Sequence, residues 1–145
     1  KQIINPTKNI SFGLSYNFVK AKIGKNSQGL INGKDMPGVP RQTAVINLRY
    51  QFDPQGSISV SHAWRERSYD MGDFANVRGK EQPLYSSTDL AVQYNLKQVG
   101  QFKTVALFGS VTNLFEHTNA IAVSGSSFYA SNYERVFMGG LKINF

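Results

Sequence analysis

The chain has 145 residues, 41% of them hydrophobic, with no cysteine and a formal net charge of +7. That length holds one domain or a piece of one, and that hydrophobic fraction excludes wholesale disorder. Without cysteine there are no disulfides or thiolate metal sites, and no run reaches the roughly 18 apolar residues that a membrane-spanning helix needs. No basic start followed by an apolar core marks a signal peptide, and Lys1 is not an initiator, so the chain reads as mature protein or as an excised fragment. A basic excess suits nucleic acid, anionic lipid or an anionic ligand. The charges gather between apolar segments instead of forming a stripe on an ordered face, which weakens the nucleic-acid reading.

Period-two alternation recurs along the chain, and helical spacing is nearly absent. The opening KQIINPTKN fits the tail of an earlier strand followed by a short turn at Asn5-Pro6. In NISFGLSYNFVKA, Ile10, Phe12, Leu14, Tyr16 and Phe18 alternate with Ser11, Gly13, Ser15, Asn17 and Val19. A long connector rich in Gly, Asn and Pro runs to Arg41. In QTAVINLRYQF, Ala44, Ile46, Leu48, Tyr50 and Phe52 alternate with Thr43, Val45, Asn47, Arg49 and Gln51, and Asp53-Pro54-Gln55-Gly56 is a tight turn. SISVSHAW sets Ile58, Val60 and Trp64 opposite Ser57, Ser59, Ser61 and Ala63. A long stretch from about Arg67 to Leu84 precedes STDLAVQYNL, where Leu90, Val92, Tyr94 and Leu96 oppose Asp89, Ala91, Gln93 and Asn95. A short turn around Lys97 to Gln101 leads to TVALFGSVTN, where the adjacent Leu107 and Phe108 blur the alternation. A third long stretch, from about Glu116 to Tyr133, precedes VFMGGLKINF. Its Phe137, Gly139, Leu141, Ile143 and Phe145 share one face, and Met138, Gly140, Lys142 and Asn144 the other.

The expected fold is therefore all-β: about six strands of an up-and-down antiparallel sheet, with short turns at one rim and long loops at the other. Strands of this length suit a tilted crossing of a bilayer. Alternation alone fits equally a soluble lipid-binding barrel with its apolar side turned inward. Two features favour the membrane. The polar face carries mostly Ser, Thr, Asn, Gln and small residues, with Arg49, Asp89 and Lys142 as exceptions, whereas an open surface usually carries Lys and Glu. On the apolar face, Phe12, Phe52, Tyr94 and Phe145 fall near the short turns and Tyr16, Phe18, Trp64 and Phe137 near the long loops, as two aromatic girdles would. His62 interrupts the apolar row between Val60 and Trp64.

Catalytic chemistry is not apparent. His62 and His117 lie on different segments without metal-ligand spacing. Ser124-Gly125-Ser126-Ser127 follows no phosphate-loop context and reads as a flexible loop. Asp70 and Asp73 match only a fragment of a calcium loop. The expectation is a non-enzyme with no cofactor and no metal.

Several motifs together resemble the C-terminal barrel strands of TonB-dependent outer-membrane receptors. GKDMPGVPRQTAVINLRYQF resembles that family's Pro-containing loop and following strand, and YSSTDLAVQYNL its strand with an Asp ahead of alternating apolar residues. VTNLFEHT, with Asn113, Leu114 and Phe115, resembles the Asn-Leu-Phe-acid motif of the penultimate strand, and the final Phe follows some thirty residues on. Gly140, Ile143 and Phe145 resemble the terminal signal read by the barrel-assembly machinery, although Met138 occupies its polar position. Asn113 itself reads as a hydrogen-bonding residue near a strand end.

The resemblance implies that residues 1–145 form the last six of about twenty-two barrel strands, with the plug domain and earlier strands outside this chain. It also implies energy-coupled uptake of a ferric siderophore, haem or a similar scarce nutrient at the outer membrane of a Gram-negative cell. Partners would be outer-membrane lipid and lipopolysaccharide, the ligand, the barrel-assembly machinery, and the plug and TonB through other parts of the receptor. A small pore or adhesin is the alternative within membranes. Function would lie in the long loops. Arginines there can pair with carboxylates or phosphates, and aromatic faces can contact flat ligands. The candidate ligand-binding residues are Arg65, Arg67, Tyr69, Phe74, Arg78 and Tyr85 of the second loop and Phe128, Tyr129, Tyr133 and Arg135 of the third.

Overall fold

The computed structural model describes residues 2–25, 29–77, 81–124, 127–132 and 134–144, with residues 3–7, 98–99, 120–124 and 127–132 described by their backbone alone. Its elements are β1 (Gln2–Thr7), β2 (Ile10–Phe18), β3 (Gln42–Tyr50), β4 (Gly56–Arg65), β5 (Ser68–Tyr69), β6 (Glu81–Gln82), β7 (Tyr85–Val99), β8 (Phe102–Thr112), β9 (Asn119–Ser124), β10 (Ser127–Asn132) and β11 (Val136–Asn144). Seven of them form one antiparallel sheet in the order β1-β2-β3-β4-β7-β8-β11. The expected six strands are all present, joined by the strand tail expected ahead of them.

Local chemistry sets the short turns. The Asp53 carbonyl accepts Gly56 N–H at 3.1 Å, and its side-chain Oδ1 accepts Gln55 N–H at 2.8 Å, closing the β3–β4 hairpin. Gly100, at φ +59°, supplies the left-handed residue between β7 and β8. The first turn falls at Lys8–Asn9 and not at Asn5-Pro6, which lies inside β1 where the register with β2 slips between Ile4 and Thr7. Proline is tolerated there because the slip in register removes the need for its missing N–H.

Register converts the alternation into two distinct faces. Phe12, Leu48, Val60, Leu90, Val111 and Phe137 lie side by side across six strands. The neighbouring row, on the opposite face, is Ser11, Arg49, Ser59, Ala91, Ser110 and Met138. The ambiguity at Leu107–Phe108 is resolved in the same way. Leu107 joins Gly56, Tyr94 and Leu141 on the apolar face, whereas Phe108 sits on the polar face opposite Gly140. A Cβ on Gly140 would lie 2.6 Å from the Phe108 ring, so the glycine makes room for that ring.

Among the described residues no core covers the apolar face. Phe137 is 71% exposed, Leu141 60% and Leu48 44%, while the largest fully buried side chains among the described residues are two asparagines, Asn113 and Asn119. The accessible area is 10094 Å², against about 7,400 Å² for a compact monomer of this mass. A lipocalin-like barrel would bury these side chains inward; here they form an open outer wall. Among the described residues β1 and β11 are the outer strands of this sheet.

Candidate functional site at the long-loop rim

The three long connections, 19–41, 66–84 and 113–135, leave the same end of the sheet; asparagine side chains that imitate backbone tie the first two to each other and the third to β7. The first continues the β2–β3 hairpin: Val19 N–H donates to the Arg41 carbonyl at 2.8 Å, and Lys22 pairs with Asp35. Asn76, at φ +55°, ties the second connection to it. Its Oδ1 accepts Asp35 N–H at 2.7 Å and its Nδ2 donates to the Asp35 carbonyl at 3.0 Å. Gly38 N–H donates to the Tyr69 carbonyl at 2.8 Å, adding a second tie. β5 and β6, unforeseen in the sequence, form a small hairpin within this connection.

The third connection is anchored by Asn113 and Asn119. Asn113 adopts φ +53°, its Nδ2 donates to the His117 carbonyl at 3.0 Å, and its Oδ1 accepts His117 N–H at 3.1 Å. Asp89 Oδ1 accepts Asn113 N–H at 2.9 Å, fastening the corner to β7. Asn119 repeats the device on Ser86, accepting its N–H and donating to its carbonyl, both at 2.8 Å. Asn113 is thus the structural hydrogen-bonding residue expected near a strand end. The third connection holds β9 and β10, which pair antiparallel; of the expected Ser124–Ser127 loop, Ser124 and Ser127 are strand residues and residues 125 and 126 lie outside the described residues.

The predicted ligand residues divide into distinct groups. Arg65 and Tyr85 are cross-strand partners at the ends of β4 and β7, not loop residues, and the guanidinium lies 5.5 Å from the Tyr85 ring centroid. Arg67 and Tyr69 line a cavity of about 420 Å³ between the first two connections. Phe74 is exposed. Arg135 Nε donates to the Leu114 carbonyl at 2.9 Å, and its guanidinium lies 3.6 Å from Glu116. Phe128 and Tyr129 lie on β10, where only backbone is described, and Arg78, Tyr133 and Phe145 lie outside the described residues. Gly140 and Ile143 of the terminal signature are in β11.

The sequence reading missed Glu66, which shares the cavity with Arg67. It also missed the Arg41–Asp35 ion pair at the cavity wall. Asp70 and Asp73 are buried in a turn where Asp73 Oδ2 accepts Val77 N–H at 2.6 Å. Among the described residues no group of three or more His, Asp or Glu could hold a metal ion.

A two-faced antiparallel sheet, exposed on its apolar side and carrying interlocked loops at one rim, is a segment of a β-barrel wall. The family model described as TonB-dependent receptor-like, beta-barrel matches residues 7–114, and the chain belongs to that family. It is 30% identical over 116 residues to the probable TonB-dependent siderophore receptor PiuA of Acinetobacter baumannii, an alignment covering 73% of this chain and 14% of that protein. The crystal structure of the siderophore receptor PiuA from Acinetobacter baumannii superposes with a TM-score of 0.69 at 21% identity, over 97% of this chain and 20% of that one. The ferric-catecholate import receptor Fiu from K12 E. coli, in a closed form, superposes with a TM-score of 0.72 at 16% identity, over 96% and 19%. The chain thus spans a small part of the length of these relatives, and the two structures bear on its fold.

Proposed function

We propose that this chain forms C-terminal wall strands and outer loops of an outer-membrane receptor that imports an iron complex, a siderophore or haem, in a Gram-negative cell. The observation that carries the reading is the family match over residues 7–114, the stretch in which the sheet's apolar and polar faces are defined. The apolar face meets lipid, and the polar face, with its serines, asparagines and Arg49, lines the barrel interior. Ligand is captured at the long-loop rim, and Arg65 with Tyr85 stands where that rim meets the interior. Coupling to TonB and closure by a plug belong to other parts of the receptor. The naming of the PiuA relative as a probable siderophore receptor supports this cargo class.

Deletion of the whole receptor and its complementation test the reading. Uptake of radio-iron supplied as ferric siderophore should fall on deletion, return on complementation and stop when TonB is removed. The receptor should fractionate with the outer membrane and migrate as a heat-modifiable band. A receptor found in the soluble fraction, or iron uptake indifferent to its deletion with every siderophore tried, would end it.

A further inference from the structure

The polar face of the sheet carries a cleft of its own, away from the long-loop rim. Its volume is about 150 Å³, the size of cavity that holds one benzene ring. Arg49 of β3 and Phe108 of β8 flank it, three strand spacings or about 14 Å apart along the sheet. Between them the short side chains of Ser57, Ser59 and Ala91 form a low floor. Ser59 lies about 20 Å along β4 from Arg65, so this cleft is separate from the rim. Arg49 is exposed, and among the described residues no carboxylate and no side-chain hydrogen bond engages its guanidinium. Asp89 is the only acidic residue in the seven strands of this sheet, and its Oδ1 accepts Asn113 N–H at the long-loop end. Ser57, Ser59 and Ser110 add hydroxyl donors to the cleft. The Phe108 ring is seated over Gly140 and is 43% exposed, so it offers the cleft an aromatic surface held in place.

We infer that this cleft is a subsite for an aromatic anion, a ring bearing a carboxylate or phenolate, with Arg49 as its counter-ion and Phe108 against the ring. A guanidinium meets a carboxylate through two parallel hydrogen bonds, and the serine hydroxyls complete the donor set. The site puts a ligand contact on the inner wall, beyond the rim where the long loops gather. It rests on the reading that the polar face lines the barrel interior, and it does not depend on the identity of the iron complex.

The test uses the full-length receptor in a non-ionic detergent, with benzoate, cyclohexanecarboxylate and benzylammonium as probes followed by saturation-transfer NMR. Benzoate should bind saturably and benzylammonium should not. Arg49→Gln should weaken benzoate at least about tenfold, the loss of one charge-assisted contact. Phe108→Leu should weaken benzoate about fivefold and leave cyclohexanecarboxylate unchanged, because only the ring-on-ring contact is lost. Lys142→Gln removes the same charge elsewhere on the polar face and should leave benzoate binding as in wild type. Heat-modifiable migration of each variant certifies that the barrel is intact. No saturable benzoate binding by the wild type, equal binding by Arg49→Gln, or an equal loss in Lys142→Gln would overturn the inference. Iron uptake is measured in parallel. Intact uptake without benzoate binding removes the subsite and leaves the receptor reading standing; benzoate binding without uptake does the reverse.

Discussion

Replacing Asn113 perturbs the corner that anchors the third connection, and the structure gives the size of the effect. Its side chain makes two hydrogen bonds to the His117 backbone and is fully buried, while its own backbone sits at φ +53°. Losing two neutral hydrogen bonds costs about 2 kcal/mol. A non-glycine residue without a short polar side chain pays roughly 1 kcal/mol more at a left-handed φ. Asn113→Ala should therefore lower the free energy of locally opening residues 114–135 by about 3 kcal/mol and Asn113→Gly by about 2. When opening is fast relative to cleavage, proteolysis follows the population of the open form. Chymotrypsin treatment of the full-length receptor, with mass-spectrometric mapping of cuts at Phe115, Phe128, Tyr129 and Tyr133, reads that population. Cleavage should accelerate about 100-fold for the alanine variant and about 30-fold for the glycine variant. The temperature of heat-modifiable migration should stay near wild type, because the barrel hydrogen-bond ladder is untouched. Wild-type cleavage rates in both variants would refute the clamp, and a glycine variant as fast as alanine would refute the backbone component.

Other substitutions test further joints of the same argument. Gly56→Ala places a Cβ 2.7 Å from the Tyr94 ring and 2.5 Å from Phe52 Cζ, in the stacked pair at the short-turn rim. It should destabilise the barrel by about 1–3 kcal/mol, seen as an earlier heat-modifiable transition that Phe52→Ala partly restores. His62 Nδ1 lies 2.8 Å from Thr88 Oγ1 on the otherwise apolar face. His62→Leu should cost about 1 kcal/mol in detergent unfolding, and adding Thr88→Val should recover it, since removing both polar partners is nearly neutral; additive losses would contradict the pairing. Arg135→Gln should raise chymotrypsin cleavage of residues 114–135 about fivefold, less at high salt, through loss of its contacts to Leu114 and Glu116. Unchanged iron-complex affinity in that variant would agree with its structural placement.

Much of the sheet was legible because a strand's face pattern is a local property of period two. β2 and β3 alternate without a break, and their register pairs Phe12 with Leu48 and Ser11 with Arg49. Where local pattern failed, tertiary pairing decided. Nothing in Leu107-Phe108 says which side chain joins the polar face; the partner Gly140, thirty-two positions beyond Phe108, does. Pro6 resembled a turn because the register slip that accommodates it is visible only once the β1–β2 pairing is known. The rim was the least legible part. Arg65 and Tyr85 were picked out by residue type, but their pairing depends on the β4–β7 register. Arg135 carried the same chemical signal and is engaged by a carbonyl and a carboxylate instead. The role of Asn76 depends on a partner forty-one residues away and leaves no local trace.

The central claim is that alternate residues of each strand face lipid and the barrel interior. Single cysteines for spin labels can be introduced on both faces, in a receptor background cleared of any cysteine outside this chain. Labels at Leu48, Val60, Leu90 and Leu107 should be reached by lipid-soluble oxygen and shielded from a water-soluble nickel complex in the reconstituted full-length receptor. Labels at Asn47, Ser59, Ala91 and Ser110 should be shielded from oxygen in the same membranes. Alternation with period two and that phase is the predicted result. Water-accessible labels at Leu48 and Leu90, or no difference between the faces, would contradict the account.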